Sequence, residues 1–487
     1  MTWWKQIGNG AYLALALVLL SAWVLESARW GIEATAPAVG STPVTVYAKA
    51  GSQGPAVVVA HGFAGSSTMM QAFALDLARA GYRAHVFDFL GHGRHPNPLS
   101  GDVTSVDGTT RLLIDQTKAV VQAAAGDDAK VALLGHSMAT DILVRVAEEQ
   151  PNIGPVVLLS AFSEAIDEET PRDLLLITGA AESWLRAFAL QAVRMVDPEA
   201  SEGVIAKSER VLRKSTIAPW ADHVSILHSR VARTEAVAWL DRSFGRGTTA
   251  SSTLPTGQAL LVLIAGLLWL LVCLARLLPD KAAPLRQLTI GRLALVTVVP
   301  ALLSPPLALL LDPGLLPVLV ADHLALHLAL YGGIQLVLLW AWGMGLGRID
   351  ALAVLFLVGA SIAIGISLDR YAANFWLVAE RRGILAALAF GAVLFFLADA
   401  RLSYGATLAK RLAVHGAFLL SLGLAVALDF DRLFFLLMIA PVVVLFYLVF
   451  GTLGHAVGKR AGPLAPGLVL GFTLAWALGV SFPMFQP

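Results

Sequence analysis

The sequence has few cysteines and few charged residues. Its 487 residues include a single cysteine, Cys273, and only 14% Asp, Glu, Lys and Arg, whereas a soluble globular protein has about 25%. One cysteine cannot build a disulfide framework or a cysteine-based zinc site within the chain.

The net charge of the chain is +1, and no cluster of Lys and Arg is present. Nucleic-acid binding needs a basic surface, so we expect no nucleic-acid partner.

The charged residues are unevenly distributed along the chain. Residues 258–487 contain 23 charged side chains, whereas residues 1–257 contain 46. The hydrophobic content of 57% and the mean hydropathy of +0.72 are therefore averages over two halves of different composition. The front half has an ordinary composition, and the composition of the back half is typical of a membrane domain.

Apolar runs long enough to cross a bilayer recur along the chain, since about 18–22 apolar residues span the hydrocarbon layer as a helix. We predict nine such helices, near residues 10–27, 258–277, 290–311, 324–343, 351–368, 383–399, 409–428, 433–452 and 464–484. Residues 1–28 are interpreted as an uncleaved N-terminal transmembrane anchor, and a cleaved signal peptide is the alternative. Residues 258–487 then form a transmembrane domain of about eight helices.

The basic residues of the short loops predict the orientation in the membrane. With the N-terminus in the cytoplasm, eleven basic residues lie inside and four outside. The inner set is Lys5, Arg276, Lys281, Arg286, Arg292, Arg348, Arg401, Lys410, Arg411, Lys459 and Arg460, and the outer set is Arg370, Arg381, Arg382 and Arg432. This excess predicts a multi-pass protein of the cell (inner) membrane whose polar segment, residues 42–245, is periplasmic or extracellular.

Segment 42–245 alternates short apolar runs with helical stretches. The predicted strands are 44–47, 56–60, 84–89, 131–134, 155–159 and 174–178. This alternation predicts an α/β fold with a mostly parallel sheet and helices on both faces. Functional motifs are then expected just beyond the carboxyl ends of the strands.

One motif places a serine between a predicted strand and a helix. G-H-S-M-A at 135–139 follows strand 131–134 and precedes the helical stretch 140–149. In this context the pattern G-x-S-x-G is a nucleophile elbow, whose small residues allow the chain to turn sharply around an exposed serine. Ala139 replaces the second glycine without removing any chemistry. We identify Ser137 as the candidate nucleophile, and the alternative is the start of an inert helix.

Two further motifs follow predicted strands. H-G-F-A-G at 61–65 follows strand 56–60, and D-F-L-G-H-G-R at 88–94 overlaps the end of strand 84–89. We interpret the side chain of His61 as a structural hydrogen-bonding group and assign no catalytic role to His92.

Together the motifs at 61–65, 88–94 and 135–139 resemble the α/β-hydrolase superfamily, specifically its serine esterase, lipase and aminopeptidase-like branch. The resemblance covers about residues 42–245 and does not explain the back half of the chain. It implies a serine hydrolase in which the backbone N–H groups of Phe63 and Met138 form the oxyanion hole. It also implies the order serine, acid, histidine along the chain.

That order points to an acid and a base. Glu182 ends a G-x-x-acid pattern after strand 174–178, although most relatives have aspartate there, and the rival acids are Asp167, Glu168 and Glu169. His223 belongs to a D-H pair on the loop expected after a final strand, shortly before the last helical stretch of the segment, and is the candidate base. His228 is interpreted as a surface or packing residue.

These residues predict catalysis through an acyl-enzyme. Ser137 attacks an acyl carbonyl, His223 accepts its proton and Glu182 orients the imidazole, and no metal or organic cofactor is required. Only about a dozen residues separate the strands that end near Ser160 and begin near Asp173, so we expect no large lid. We expect a small-molecule or lipid-like acyl substrate and contact with the lipid bilayer; whether the bond is an ester, thioester or amide stays open.

Polar residues in the back half allow a second interpretation. Asp322, His323 and His327 lie near the start of one predicted span and His415 lies within another, where ionisable groups are functional candidates. For the Asp322 cluster, helix-end polarity at the membrane surface is the simpler interpretation. The alternative function is therefore a polytopic transporter or membrane transferase with an accessory hydrolase-like domain. Against it, no pair of Gly/Pro-interrupted helices recurs at matched positions in two halves.

Overall fold

The computed structural model describes residues 8–102, 106–126, 130–247, 253–284, 286–311, 314, 316, 318 and 320–486. Lys5, which contributes to the predicted orientation, lies outside the described residues. A first helix, α1 (Asn9–Ser27), leads into an α/β domain, and a large helical region follows that domain.

A nine-stranded sheet forms the centre of the α/β domain. Its strands are β1 (Ile32–Thr35), β2 (Val44–Lys49), β3 (Ala56–Ala60), β4 (Arg83–Phe87), β5 (Val131–His136), β6 (Ile153–Leu159), β7 (Asp173–Gly179), β8 (Ile205–Lys207) and β9 (Leu212–Ala218). Their spatial order is β1-β2-β4-β3-β5-β6-β7-β9-β8. The six central strands from β4 to β9 pair in parallel, and β1, β2 and β8 add antiparallel edges. The predicted, mostly parallel sheet is confirmed. The short edge strands β1 and β8, which lack an apolar run, were not predicted, and β9 corresponds to the final strand that was expected before His223 without bounds.

Helices cover both faces of this sheet. α2 (Gln71–Arg79) and α6 (Arg230–Ser243) pack on one face, and α3 (Arg111–Ala125), α4 (Ala139–Glu149) and α5 (Ser183–Arg194) pack on the other. All residues of β3 are buried, because a central parallel strand is covered on both sides. The α/β hydrolase fold predicted from the sequence is confirmed.

Nine helices among the described residues are long and apolar enough to cross a bilayer. They are Asn9–Ser27, Thr256–Leu277, Ile290–Leu311, Ala321–Ala341, Ala351–Tyr371, Ala379–Ser403, Leu408–Leu428, Leu436–Ala461 and Leu464–Ser481. Each of the nine predicted segments corresponds to one of them. The largest difference is in the eighth, which continues to Ala461 through a more polar stretch that the apolar pattern does not include.

The α/β domain is fixed to one end of the helical bundle. The buried guanidinium of Arg381, which immediately precedes the helix Arg382–Ser403, donates a hydrogen bond of 2.8 Å to the carbonyl oxygen of Gly91. The end of the chain also returns to this domain. The backbone N–H of Leu99 donates to the carbonyl oxygen of Met484 at 2.8 Å, and Phe485 belongs to the hydrophobic core of the α/β domain. The two parts of the chain are therefore packed together.

Candidate active site

Ser137 lies on a strained turn between β5 and α4. Its φ angle is 54°, in the left-handed region that costs a non-glycine residue about 1 kcal/mol. The packing around the turn requires glycine at position 135, because a Cβ atom on Gly135 would lie only 2.6 Å from Leu143 and 3.2 Å from the Cβ of Ala139. The local sequence thus permits the sharp turn that presents the hydroxyl group beyond the end of the strand.

A chain of hydrogen bonds joins Ser137, His223 and Glu182. The hydroxyl of Ser137 donates to Nε2 of His223 at 2.8 Å, and Nδ1–H of His223 donates to Oε1 of Glu182 at 2.7 Å. The Glu182 side chain is 7% exposed, whereas that of His223 is 44% exposed. The structure therefore brings the three predicted residues together, with the carboxylate buried and the imidazole open to solvent. The segment between β6 and β7, in which no large lid was expected, comprises residues 160–172 and forms neither helix nor strand.

Two additional donors hold the second carboxylate oxygen of Glu182. The hydroxyl of Ser160 donates to Oε2 at 2.7 Å, and the backbone N–H of Gly179 donates to it at 2.6 Å. Burial, the largest single effect, raises the pKa of Glu182, but the hydrogen bonds from His223, Ser160 and Gly179 together lower that pKa below its ordinary value. Glu182 is therefore a carboxylate at neutral pH, with an acceptor oxygen facing the imidazole.

Asp167, one of the rival acids, and Asp222, which was not a candidate, stabilise the loops in which they lie. Oδ1 of Asp167 accepts the backbone N–H groups of Glu169 and Thr170 at 2.8 and 2.7 Å. Asp222, the neighbour of His223, accepts the backbone N–H of Ser225 at 2.8 Å. Both ring nitrogens of His223 are occupied by Ser137 and Glu182, so none of the rival acids Asp167, Glu168 and Glu169 is hydrogen-bonded to the imidazole.

His136, which precedes the serine, was not singled out from the sequence because the elbow pattern leaves its position unspecified. Its Nε2–H donates to the carbonyl oxygen of His223 at 2.7 Å. Burial, together with the nearby imidazole of His223, lowers the pKa of His136 to about 4. The neutral side chain of His136 therefore fixes the backbone segment that carries the candidate base.

This buried histidine is expected to make the stability of the domain depend on pH. An unfolded histidine has a pKa of about 6.5, whereas folded His136 has a pKa of about 4. Between these values the unfolded chain binds more protons, so stability falls as the pH drops, by up to about 1.4 kcal/mol per pH unit from this residue. His136→Gln keeps a donor without titrating, so its unfolding temperature should fall less than that of the wild type between pH 7 and pH 5.

His228 provides an internal control for this comparison, because burial lowers its pKa to about 4 as well. Because His228 is present in both proteins, its contribution cancels in the difference between them. Identical pH profiles of unfolding temperature for the wild type and His136→Gln would contradict the assignment of His136 as a buried, neutral positioning group.

The loop after β3 approaches the elbow closely. A Cβ atom on Gly62 would lie 3.0 Å from the Cβ of Ser137 and 2.9 Å from Nδ1 of His136, so this position requires glycine. The backbone N–H groups of Phe63 and Met138 donate to no acceptor within the described part of the chain. Both groups are therefore available to a ligand.

His61 and His92 hold the loops that surround this site. Nδ1–H of His61 donates to the carbonyl oxygen of Gly62 at 2.7 Å, and its Nε2 accepts the backbone N–H of Phe89 at 3.1 Å. Nδ1–H of His92 donates to the carbonyl oxygen of Leu90 at 2.8 Å. Burial lowers the pKa of both histidines. These contacts agree with the structural interpretation of His61 and with the absence of a catalytic role for His92.

The helical bundle reaches the same loop. The ring of Phe63 lies 5.0 Å from the ring of Phe435, with an interplanar angle of 31°. Phe435 connects the short helix Phe430–Leu433 to the helix Leu436–Phe446, at the end of the bundle that contacts the α/β domain. One wall beside the candidate oxyanion loop is thus formed by the back half of the chain.

The polar residues singled out in the bundle are paired with other groups of the bundle. Oδ2 of Asp322 accepts a backbone N–H at 2.7 Å, and Nε2 of His327 lies 3.0 Å from the hydroxyl of Ser421. Nε2 of His415 lies 3.1 Å from a carboxylate oxygen of Asp399. Within the described ranges, no group of three or more His, Cys, Asp or Glu side chains is arranged to hold a metal ion.

The family comparison agrees with the architecture of the α/β domain. Residues 51–216 match the family described as serine aminopeptidase, S33, a family of α/β hydrolases. The match includes Ser137 and Glu182 and ends before His223. This family match confirms the resemblance to α/β hydrolases inferred from the three motifs. No curated protein matches the chain.

Several solved structures also resemble part of the chain. A predicted CIB-like hydrolase from Thermoplasma acidophilum has 14% sequence identity and a TM-score of 0.32, over 40% of this chain and 90% of the other. An epoxide hydrolase from Vigna radiata has 24% identity and a TM-score of 0.23, over 27% and 41% of the two chains. An evolved variant of potato epoxide hydrolase has 25% identity and a TM-score of 0.24, over 27% and 41%. The fold assignment rests on the strand order and the family match, not on these partial overlaps.

Proposed function

We propose that this chain, whose front half is an α/β hydrolase domain, is a membrane-anchored serine hydrolase that cleaves acyl esters through an acyl-enzyme. The observation that carries the proposal is the hydrogen-bonded series from Ser137 through His223 to Glu182. A hydroxyl paired with an imidazole, which is itself oriented by a buried carboxylate, is the arrangement that makes serine a nucleophile.

In the proposed reaction, Oγ of Ser137 attacks the acyl carbonyl carbon while its proton passes to Nε2 of His223. The negative charge on the carbonyl oxygen is stabilised by the backbone N–H groups of Phe63 and Met138. Glu182 stabilises the imidazolium through Nδ1–H. The tetrahedral intermediate collapses, and the alcohol leaves with the proton from His223. Water, deprotonated by His223, then attacks the acyl carbon and releases the acid and Ser137.

A serine nucleophile also limits the class of bond that the enzyme can cleave with turnover. A serine that opened an epoxide would become an alkyl ether, which has no carbonyl carbon for water to attack, so the enzyme would not turn over. Esters, thioesters and amides all form an acyl-enzyme that water can cleave. We propose esters over amides because an alcohol is expelled more readily than an amine, and the description of the matched family as aminopeptidases makes an N-terminal peptide bond the second candidate.

The surroundings of the site favour an apolar, lipid-like acyl group. His223 is 44% exposed, and large apolar side chains near it are exposed to solvent. Trp220 is 99% exposed, Val224 58% and Trp184, which follows Glu182 by two positions, 63%. Phe435 of the helical bundle contacts Phe63 on the oxyanion loop. We therefore propose that the substrate is a lipid-like ester that reaches Ser137 at the membrane surface.

If Phe435 helps to form the acyl-binding wall, Phe435→Ala should act selectively on long-chain substrates. An aromatic pair contributes about 1 kcal/mol beyond its buried area, so kcat/KM should fall roughly fivefold for a long-chain ester. The value for an acetate ester should change little, and the ratio of the two rates is the measurement. Phe430→Ala, in the same segment and 61% exposed, is the matched control and should leave the ratio unchanged. Equal ratios in all three proteins would contradict the role of Phe435.

The proposed chemistry is tested by offering purified full-length protein three substrates: p-nitrophenyl butyrate, an aminoacyl p-nitroanilide and styrene oxide. We expect turnover of the ester and none of the epoxide. Turnover of the anilide in preference to the ester would replace the esterase proposal with the peptidase. Turnover of the epoxide alone would overturn the assignment of Ser137 as the nucleophile.

We propose that the α/β domain lies outside the cytoplasmic membrane, on the basis of the distribution of basic residues. The single native cysteine, Cys273, is buried, which provides a low background for cysteine labelling. Glu209→Cys, on an exposed loop of the α/β domain, should react with a membrane-impermeant maleimide in intact cells. Arg348→Cys, in an exposed loop of the bundle, should react only after permeabilisation. The reverse pattern would contradict the proposed orientation.

A further inference from the structure

A cavity of about 350 Å³ lies within the helical bundle, at the end opposite the α/β domain. Its lining includes Ser403 and Tyr404, at the end of the helix that begins beside Arg381. That helix has 22 residues, and at 1.5 Å per residue it separates the cavity mouth from the α/β domain by about 30 Å. The hydroxyl of Tyr404 donates to the carbonyl oxygen of Ala283 at 3.0 Å. The cavity therefore opens among the loops that connect the helices far from Ser137.

The lining of this cavity has an excess of positive charge. Arg411 and Lys459 face it together with His455, whereas Asp399 is the one acidic side chain among the described residues of the lining. Within the described part of the chain, no ion pair satisfies Arg411 or Lys459, and Nε of Arg411 is buried without a hydrogen-bond partner. Two unpaired cations beside a partly open cavity favour an anion there through Coulomb attraction, which is strongest at the half-buried Arg411.

Deeper in the cavity, a polar group lies between the apolar helices. Asp399 lies 3.1 Å from Nε2 of His415, and the imidazole stacks on the ring of Tyr447 at 3.8 Å. The hydroxyl of Tyr447 is buried and has no hydrogen-bond partner among the described residues; the residue is only 9% exposed. A buried, unsatisfied hydroxyl in a cavity lining is costly, and a bound ligand would satisfy it.

The remaining wall is mainly apolar. Leu412, Leu419, Val444, Leu448 and Leu470 contribute to it, and Leu412 and Leu448 are exposed on the surface of the bundle, at 61% and 62%. The cavity thus continues from a cationic rim towards a surface that would face lipid chains. A small hydrophilic anion would leave this apolar wall unoccupied, whereas an amphiphile would contact both parts.

We propose that this cavity binds an anionic amphiphile, with a phosphate head group at Arg411 and Lys459 and a hydrocarbon chain along the leucine-lined wall. Arginine pairs well with phosphate through several N–H donors, and basic pockets between transmembrane helices suit lipid head groups. The hydroxyl of Tyr447 and the imidazole of His415 supply further polar contacts below the rim. This site is separate from Ser137 and does not depend on hydrolysis there.

The test uses purified full-length protein in a non-ionic detergent and measures the thermal unfolding temperature. Dodecyl phosphate, inorganic phosphate and dodecanol are titrated separately. Dodecyl phosphate should raise the unfolding temperature in a saturable manner, because a ligand that binds only the folded state stabilises it. The double variant Arg411→Gln/Lys459→Gln should weaken that effect at least tenfold in apparent affinity. Lys410→Gln, which removes a neighbouring cation that does not line the cavity, should behave like the wild type.

Three results would overturn the proposal. An equal effect of dodecanol would show a non-selective apolar cavity, and an equal effect of inorganic phosphate would show that the hydrocarbon chain contributes nothing. An undiminished effect in the double variant would remove Arg411 and Lys459 from the site. If that variant does not fold, Tyr447→Phe replaces it, because it deletes one buried hydroxyl; the affinity for dodecyl phosphate should then fall severalfold, and an unchanged affinity would count against the site.

Discussion

Ser137→Ala is expected to lower kcat for ester hydrolysis by about 10⁵-fold or more, as the loss of the nucleophile does in serine hydrolases of this mechanism. The hydroxyl that forms the acyl-enzyme is absent, and the remaining oxyanion donors supply only a small residual acceleration. The thermal unfolding temperature should stay close to that of the wild type, because the substitution removes one partly exposed atom. The rate is measured with p-nitrophenyl butyrate on purified full-length protein.

The matched control for this prediction is Ser201→Ala. Ser201 is an exposed serine of the same domain that takes no part in the hydrogen-bonded series, so its loss should leave kcat unchanged. A Ser137→Ala protein that retains more than a few per cent of wild-type activity would show that another residue is the nucleophile. The same outcome would also contradict the mechanism derived from the contacts of His223.

Glu182→Gln is expected to lower kcat by about 10³- to 10⁴-fold. Both oxygens of the carboxylate accept hydrogen bonds, Oε1 from Nδ1–H of His223 and Oε2 from the N–H of Gly179 and the hydroxyl of Ser160. An amide has only one acceptor oxygen. Either orientation of glutamine therefore places its NH₂ group against a donor, and the imidazole loses its orientation or its tautomer.

Asp167→Asn provides the comparison that separates the two candidate acids. Oδ1 of Asp167 accepts only backbone N–H groups of its own loop, so its replacement should change the unfolding temperature more than the rate. Ester hydrolysis should stay within about twofold of the wild type, because distant surface substitutions have small effects. A large loss of activity in Asp167→Asn together with an active Glu182→Gln would reverse the assignment of the acid.

Ser137, His223 and Glu182 could be predicted from the sequence because each follows a strand that forms part of one parallel sheet. The carboxyl ends of such strands meet at one edge, so residues distant in sequence can be assigned to one site. The apolar helices could be predicted for a simpler reason, since a bilayer-spanning helix needs a minimum length of apolar sequence. In both cases a local pattern encodes the feature.

The supporting residues could not be predicted, because their roles arise from contacts between distant segments. His136 holds the backbone of a residue 87 positions away, and Ser160 donates to a carboxylate 22 positions away. No local pattern specifies either partner. Phe435 is one of several phenylalanines in an apolar segment, and its contact with Phe63 depends on how the bundle packs against the α/β domain.

The polar residues of the bundle illustrate the same limit. His415 was a candidate from its depth in an apolar span, but Asp399 and Tyr447, which contact it, lie on two other helices. Hydropathy locates each helix without specifying its neighbours. The cavity with its cationic rim therefore emerges only when the packing of the helices is known.

The proposed function depends most directly on whether the hydroxyl of Ser137 is an activated nucleophile. Intact-mass and peptide-mass spectrometry of the full-length protein treated with a fluorophosphonate measures this. We expect one phosphonyl group per chain on the peptide that contains Ser137, no adduct in Ser137→Ala, and much slower labelling in His223→Ala. A folded wild-type protein that takes up no fluorophosphonate, or takes it up on a peptide without Ser137, would contradict the proposed function.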